Sequence, residues 1–227
     1  MTPSAVDLSV IVPCRNEAAH ITETIERLLR QQGLNSEYSG ELLFVDGLSD
    51  DGTRGILESY AQRGVLRVID NPRRTTPCAF NIGIQEARGA RICIVGAHAR
   101  IADDYLRQCL IASRSTGADN VGGPWCASGA GATGEAIALA FQSPVAVGGA
   151  RSHDPAYAGP VDSVWGGCYA RDVFDRIGYF DEELVRNQDD ELNLRLVRAG
   201  GRIWQTPAIR YAYVVRDTFS GLFRQYS

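Results

Sequence analysis

The sequence predicts an α/β fold in which a mostly parallel β-sheet carries helices on both faces. In the first half of the chain, apolar strand-like segments and amphipathic helical segments alternate four times, in units of about 30 residues. This alternation implies parallel strands joined by right-handed helical crossovers. The 227 residues are 44% hydrophobic and 22% charged, an ordinary globular composition that excludes a disordered, collagen-like or coiled-coil chain.

The first unit begins with the apolar residues 8–12, which predict a buried strand. This strand ends at Pro13, because proline cannot donate a hydrogen bond to a neighbouring strand. Residues 18–31 predict a helix, since their aliphatic side chains recur on one helical face. The same patterns predict three further pairs of strand and helix: 41–45 with 53–63, 65–69 with 77–88, and 91–95 with 103–115. We expect Gly89 to cap the helix 77–88.

The second half of the chain is less regular. Residues 121–149 are rich in glycine and alanine without a strong period, and residues 148–159 predict a mobile loop. A strand is predicted over 161–169, a short helix over 171–177 and a longer helix over 189–199, with Asn187 as its N-cap. No linker or internal repeat divides the sequence, so we expect one domain over 1–227.

Charge and cysteine content exclude several classes of protein. With 23 basic and 27 acidic residues the net charge is −4, which is unsuited to coating nucleic acid. The sequence contains no run of 18 apolar residues, so we expect no segment that spans a bilayer. The first residues lack the pattern of a signal peptide. The six cysteines form no CxxC pair, so neither a zinc knuckle nor a redox pair is indicated. We expect free thiols in a reducing cytoplasm.

The candidate site lies where the predicted strands end, because ligands of such sheets bind beyond the carboxyl ends of the strands. The first strand does not lead into GxGxxG, and GxxxxGK[ST] does not occur, so the first strand lacks the dinucleotide fingerprint and the common phosphate loop is missing. Asp46 directly follows the second strand. Its carboxylate suits hydrogen bonds from a base or ribose, but it equally suits a turn in which Ser49 or Asp50 caps the next helix.

Other candidate positions carry more than one interpretation each. His98, three residues after the fourth strand, suits a metal ligand, a base or a surface residue. Asp189 shares a helical face with apolar residues, so it can turn inward as an ionised general base, or it can simply stabilise the helix N-terminus. Trp165 and Gly166 suit packing against a sugar ring, or a core tryptophan beside a bulge.

Five motifs, in order along nearly the whole chain, resemble glycosyltransferase family 2. The similarity is greatest to its ExoA-like branch, which is linked to succinoglycan and other bacterial exopolysaccharides. The motifs are SVIVPCRNE at 9–17, FVDGLSDDGT at 44–53, the pair Asn71-Pro72 and Asn81-Ile82-Gly83, VGAHA at 95–99, and FDE at 180–182 with NQDDELNLR at 187–195.

The resemblance implies a GT-A fold, which is a Rossmann-like, mostly parallel sheet with helices on both faces. It implies an inverting enzyme that moves a sugar from a nucleotide diphosphate sugar, by analogy a UDP-hexose, to the hydroxyl of a saccharide or lipid-linked acceptor. Nucleotide binding would occupy about 1–100 and acceptor binding about 101–227. The implied roles are nucleotide binding for Pro13, Arg15, Glu17 and Asp46, metal binding (Mn²⁺ or Mg²⁺) for His98, general base for Asp189, and acceptor binding for Trp165, Gly166 and Asp190.

The sequence departs from the family's pattern at three positions. Gly96 stands where this branch usually has Asp, Gly47 where many members have a second Asp, and Gln188 where Glu is usual. These departures leave a second interpretation, a catalytically impaired sugar-nucleotide-binding module. A nucleotidyltransferase is disfavoured, because no glycine- and lysine-rich loop follows the first strand. We expect His153 and Asp154, in the predicted loop, to close over the diphosphate.

The end of the chain also differs from the family's pattern. Members of this branch commonly continue past the segment 224–226 into membrane-associated helices, whereas this sequence ends at Ser227. We therefore expect a catalytic domain without its membrane region. Its expected location is the cytoplasm, with peripheral association at the inner face of the membrane. The donor sugar, the acceptor and the oligomeric state stay open.

Overall fold

The computed structural model describes residues 6–129, 131–143, 150–184, 186–214 and 223. The strands are β1 (Leu8–Cys14), β2 (Gly40–Asp46), β3 (Arg67–Asp70), β4 (Arg91–Ile94), β5 (Arg100–Ile101), β6 (Asn120–Gly122), β7 (Cys126–Ser128), β8 (Gly159–Pro160), β9 (Cys168–Ala170), β10 (Ile203–Gln205) and β11 (Tyr211–Val214). The helices are α1 (Ile21–Leu29), α2 (Thr53–Gln62), α3 (Thr76–Glu86), α4 (Tyr105–Thr116), α5 (Gly131–Gln142), α6 (Asp172–Ile177) and α7 (Gln188–Arg198).

An eight-stranded sheet forms the centre of the fold, in the order β3-β2-β1-β4-β9-β6-β10-β8. The first four strands of this order are mutually parallel, which confirms the crossover topology predicted from the alternation. β9 runs antiparallel to both of its neighbours, β4 and β6. A second sheet of three short strands, β5-β11-β7, lies beside it. The predicted mostly parallel α/β architecture is confirmed.

The core has two halves, one on each face of the sheet. Alternate residues of β1 point to opposite faces: Val10 and Val12 pack with α1, α2 and α4, whereas Ile11 packs with α3, α6 and α7. Helix α1 buries Ile21, Ile25 and Leu28 completely. Each such side chain contributes roughly 1.5–3 kcal/mol through the hydrophobic effect. The prediction of helices on both faces is therefore confirmed.

Several local predictions are wrong. The strand predicted over 161–169 is reduced to β9, because Gly166 adopts a left-handed φ of 58° and ends the extended backbone. Gly89 does not cap α3; a Cβ there would come within 2.4 Å of the Ser9 nitrogen, so glycine permits the close approach of two backbones. Asn187 does occupy the predicted N-cap position of α7, although its side chain makes no capping hydrogen bond.

The irregular region 121–149 contains most of β6, together with β7 and α5, which its composition does not reveal. In the loop predicted over 148–159, residues 151–153 form a single 3₁₀ turn, and residues 148–149 lie outside the described residues. The segment 224–226 lies outside them as well. All six cysteines are free thiols. Within the described part of the chain, no helix has the length and apolarity that crossing a bilayer requires.

Candidate functional site

A cleft of about 330 Å³ opens at the carboxyl ends of the parallel strands. Its walls come from residues at the end of β1 and just after it (13–17), after β3 (71–76), after β4 (96–98) and at the start of α7. The cleft brings together Pro13, Arg15, Glu17, His98, Trp165, Gly166 and Asp189 of the sequence-predicted site, but neither Asp46 nor Asp190.

The loop after β1 is held by the loop after β2 through a set of hydrogen bonds. Asn16 donates from Nδ2 to Asp50 Oδ1 at 2.9 Å, and the Asp50 backbone N–H donates to Asn16 Oδ1 at 3.0 Å. The backbone N–H groups of Asn16 and Glu17 donate to the hydroxyls of Ser49 and Thr53. We call this set of bonds the loop clasp. It shows that much of the 44–53 motif positions the neighbouring loop.

Asp46 lies behind the cleft wall rather than on it. Its side chain is 1% exposed, and it accepts a 2.5 Å hydrogen bond from the Ser49 hydroxyl. Arg54 Nη1 lies 3.6 Å from its other carboxylate oxygen. The Asp46 carboxylate therefore does not face the cleft in this structure, where a contact with a base or ribose was expected. The alternative, a turn capped by Ser49 or Asp50, is also wrong in detail, since Gly52 occupies the N-cap position of α2.

His98 and Glu17 form a pair on the cleft wall. His98 Nδ1 lies 3.4 Å from Glu17 Oε1, and the imidazole is half-exposed. A neutral imidazole and a carboxylate at this spacing fit two ligands of one divalent ion whose remaining ligands are phosphate oxygens and water. The residues present therefore fit a divalent metal, with Glu17 as a ligand that the sequence prediction assigned to the nucleotide.

The cleft also contains a cationic side chain that no sequence motif indicated. Arg74 lines the cleft with a left-handed φ of 59°, an uncommon backbone conformation for a residue with a side chain. The next residues, Thr75 and Thr76, lead into α3, whose N-terminus also faces the cleft and favours anions. The helix predicted over 77–88 already begins at Pro77, so its N-terminus was the signal in the sequence that could have drawn attention to Arg74 just before it.

Asp189 lies at the start of α7, half-buried on the cleft wall beside Gln188. The inward orientation predicted from its helical face is confirmed. Burial, reinforced by the neighbouring Asp190 carboxylate, raises the pKa of Asp189 to about 7. The expectation that this carboxylate stays ionised therefore holds only above about pH 7, because near that pH the protonated and ionised forms are about equally populated.

Asp190 lies outside the cleft and is held by a polar network. Its carboxylate accepts a 2.8 Å hydrogen bond from the Ser163 hydroxyl, which in turn accepts one from Asn193 Nδ2. Asn193 is fully buried, and its Oδ1 accepts hydrogen bonds from Asn120 and Tyr169. The network ties α7 to β6, β9 and the segment that carries Trp165. Asp190 is thus placed as a neighbour of Asp189 rather than as a lining residue.

Trp165 combines the two interpretations left open by the sequence. Its ring packs edge-on against Tyr211 with centroids 4.7 Å apart, and it also lines the cleft. The Gly166 carbonyl accepts a 3.0 Å hydrogen bond from the Tyr105 hydroxyl. A Cβ at Gly96 would lie 3.3 Å from the Tyr211 hydroxyl, so the tyrosine borders the space that a side chain at 96 would need.

His153 and Asp154 do not reach the cleft. His153 packs against Trp125, with ring centroids 5.3 Å apart, and Asp154 accepts a hydrogen bond from the Ala156 backbone N–H. Neither residue is among those that line the cleft. The expectation that they close over a diphosphate is not supported by their position in this structure.

Comparison with proteins of known sequence identifies relatives along most of the chain. The succinoglycan biosynthesis protein ExoA of Rhizobium meliloti is 30% identical over 220 residues, covering 96% of this chain and 66% of ExoA. A second relative, from Methanococcus voltae, is 25% identical over 228 residues, covering 96% of this chain and 70% of the relative. It is a dolichyl N-acetyl-α-D-glucosaminyl phosphate 3-β-D-2,3-diacetamido-2,3-dideoxy-β-D-glucuronosyltransferase. The chain therefore spans about two thirds of the length of these relatives.

Solved structures share the fold at lower identity. Residues 1–349 of Staphylococcus aureus TarS, in complex with UDP-GlcNAc, superpose with a TM-score of 0.72 at 20% identity, covering 96% of this chain and 61% of that one. The mannosyltransferase PcManGT of Pyrobaculum calidifontis, in complex with GDP-Man and Mn²⁺, gives a TM-score of 0.71 at 20% identity. The superposition covers 98% of this chain and 61% of PcManGT. The GT-A fold expected from the sequence is confirmed.

The family itself is established by sequence. The model of glycosyl transferase family 2 matches residues 9–178, which include β1 to β4 and most of the cleft walls. ExoA, as a relative across almost the whole chain, agrees with that match. The chain belongs to glycosyl transferase family 2.

Proposed function

We propose that this protein transfers a hexose from a UDP-sugar to an acceptor hydroxyl, with inversion at the anomeric carbon. The observation that carries the proposal is the position of Asp189. A carboxylate whose pKa lies near 7 faces a cleft that also holds a candidate metal pair and the side chains of Arg15 and Arg74. A base is most effective when its pKa lies near the working pH.

In this proposal, Asp189 accepts the proton of the acceptor hydroxyl while that oxygen attacks the anomeric carbon. The attack comes from the face opposite the leaving diphosphate, so a single carboxylate suffices, unlike the carboxylate pair of glycosidases. The segment Pro13–Glu17 and Arg74 bind the nucleotide diphosphate portion. Asp46 supports this wall from behind, through Ser49 and the loop clasp.

Divalent metal chemistry fits the residues present. His98 and Glu17 would hold a Mn²⁺ or Mg²⁺ ion, which when bound neutralises charge on the departing diphosphate. Imidazole ligation favours Mn²⁺ over Mg²⁺. PcManGT was crystallised with GDP-Man and Mn²⁺, which supports the proposal. The α3 N-terminus and Arg15 add positive potential on the same side of the cleft.

The acceptor is proposed to approach past Trp165 and Gly166, within a part of the chain that begins at about residue 101. ExoA is named for succinoglycan biosynthesis, and the Methanococcus voltae relative for a dolichyl-phosphate-linked sugar. These names favour a saccharide or lipid-linked acceptor in polysaccharide or glycoconjugate synthesis, reached at the inner face of the membrane. TarS, solved with UDP-GlcNAc, favours UDP as the donor nucleotide.

A donor screen tests this function. The purified protein is incubated with UDP-, GDP- and dTDP-hexoses, with Mn²⁺, Mg²⁺ or EDTA, and released nucleoside diphosphate is measured with and without saccharide acceptors. We expect metal-dependent release of UDP from one UDP-hexose, abolished by Asp189→Asn. The anomeric configuration of the product, read by NMR, tests inversion.

A second candidate function is a sugar-nucleotide-binding module without catalysis. Gly96 favours it, since no carboxylate can project from that position toward the cleft. This candidate predicts UDP binding that is insensitive to EDTA and no release of nucleoside diphosphate from any donor. Metal-dependent turnover excludes it.

A further inference from the structure

Three cysteine side chains from three different elements meet in the core. Cys93 lies on β4, Cys109 on α4 and Cys168 on β9, and all three are fully buried. Their Sγ atoms lie within 4.8 Å of one another. They are far apart in sequence, so no spacing motif reveals the cluster. The proposed transfer reaction does not use them.

The sheet register explains why two of these thiols meet. Cys93 and Cys168 are direct partners in the antiparallel pair of β4 and β9. The neighbouring pair is the hydrogen-bonded one, because the Ile94 N–H donates to the Gly167 carbonyl at 3.2 Å. In the alternate, non-hydrogen-bonded pairs the two side chains approach most closely. Helix α4 packs over the same face and adds Cys109.

The sulfur positions are close to those of ligands around one ion. Two thiolates bound to the same metal at about 2.3 Å cannot be more than about 4.6 Å apart. The three sulfurs therefore need only small rotamer shifts to share an ion. Thiolate ligands select soft metals such as Zn²⁺ or Cu⁺, whereas the nitrogen and oxygen donors of His98 and Glu17 suit Mn²⁺ or Mg²⁺.

Polar groups that a thiolate site requires surround the cluster. Ser113 is 2% exposed, and its hydroxyl has no hydrogen-bond partner in the described part of the chain, yet it lies beside Cys168. The guanidinium of Arg91 also acts on Cys168 electrostatically. The Cys93 thiol donates to the Tyr105 hydroxyl at 3.8 Å. Such outer donors orient metal ligands and offset their charge.

We propose that Cys93, Cys109 and Cys168 form a binding site for one thiophilic metal ion, distinct from the cleft. Binding forms three metal–sulfur bonds and releases the thiol protons to solvent, with no change of oxidation state. The site lies directly beneath the cleft, since Tyr105 joins Cys93 to the Gly166 carbonyl. It stabilises the junction of β4, β9 and α4.

Cadmium titration tests the proposal, because Cd²⁺ bound to thiolates gives a charge-transfer absorption band. The chain is loaded with CdCl₂ both in the native state and during refolding, under a reductant that does not bind metal. We expect the band to saturate at one ion per chain and Zn²⁺ to compete for the site. Single Cys93→Ala, Cys109→Ala and Cys168→Ala variants should bind Cd²⁺ at least about tenfold more weakly.

Two control variants separate this site from other ligands. Cys126→Ala removes a thiol outside the cluster, and His98→Ala removes the cleft ligand; both should keep the full band. An unfolding midpoint that rises with Cd²⁺ in the wild-type chain gives a second measurement that needs no variant. The proposal is overturned if neither loading route produces the band, or if the triple alanine variant binds Cd²⁺ as tightly as the wild type.

Discussion

Asp189 and Asp190 are consecutive residues whose carboxylates face different surroundings. Asp189 lines the cleft, whereas Asp190 lies outside it and accepts a 2.8 Å hydrogen bond from the Ser163 hydroxyl. The charge of Asp190 therefore acts on Asp189 without occupying the cleft. Together with burial, which is the larger cause, it raises the pKa of Asp189 to about 7.

Asp189→Asn should abolish transfer while leaving UDP binding nearly intact. The amide has almost the shape of the carboxylate but cannot accept the acceptor's proton, and a general base contributes roughly 10²–10⁴-fold to rate. Turnover is measured by released UDP, and affinity by calorimetry. If UDP affinity fell as much as turnover, Asp189 would be a binding residue rather than the base.

The pH dependence of transfer should follow the ionisation of Asp189. We expect kcat/KM to rise as pH increases through about 7, because the base is active only when deprotonated. Asp190→Asn removes a negative charge beside Asp189 and should therefore move the rising limb to lower pH. A limb that stays in place in this variant would show that Asp190 does not tune the base.

Asp189 should also make the fold less stable at neutral and alkaline pH. Its pKa is about 7 in the folded chain against the ordinary 3.8, so the folded state holds the proton more tightly and unfolding becomes easier as pH rises from about 4 to 7. Asp189→Asn should raise the free energy of unfolding by about 2–4 kcal/mol at pH 8 and by little at pH 4. Denaturant unfolding at the two pH values measures this; an equal effect at both would contradict the assignment.

His98→Ala should weaken UDP binding in the presence of Mn²⁺ and leave binding in EDTA nearly unchanged. His98 Nδ1 lies 3.4 Å from Glu17, and the alanine variant removes one of the two candidate ligands. His20→Ala is the matched control, because its ring lies 6.4 Å from that of His98 and does not line the cleft. Wild-type affinity in the His98 variant would refute its role as a ligand.

Arg74→Gly should weaken UDP binding without lowering stability. Glycine adopts the left-handed φ of 59° at this position without steric cost, so the backbone loses strain while the cleft loses a cation. Arg73→Ala serves as control, since Arg73 pairs with Glu182 and does not line the cleft. If only the Arg73→Ala control lost UDP affinity, Arg73 rather than Arg74 would be the residue that binds the anion.

Much of the fold could be predicted because the apolar segments of the first four predicted strands alternate with helical segments in units of about 30 residues. The strands β5, β10 and β11 have two to four residues, too few for a period to show. β11 carries Tyr211, so one wall of the cleft could not be predicted. The strand predicted over 161–169 failed because apolar residues there pack as an irregular segment around Gly166.

The positions of candidate site residues were predictable where a reactive side chain lies just after a strand or at the start of a helix, as for His98 and Asp189. Properties that depend on packing were not. The pKa of Asp189 results from burial, which sequence alone does not quantify. Asp46 lies at the end of its strand, as the last residue of β2, but its side chain turns toward Ser49, with which it makes a short hydrogen bond.

The loop clasp gives one edge of the cleft its final shape before any ligand arrives. Asn16 and Asp50 satisfy each other's polar groups, so the backbone between β1 and α1 is already immobilised by folding. Fixing a residue's backbone costs about 1–2 kcal/mol of conformational entropy. Because folding has already fixed this loop, ligand binding does not incur that cost a second time. Affinity at this edge is thus governed by complementarity to a preorganised surface, with no ordering penalty to subtract.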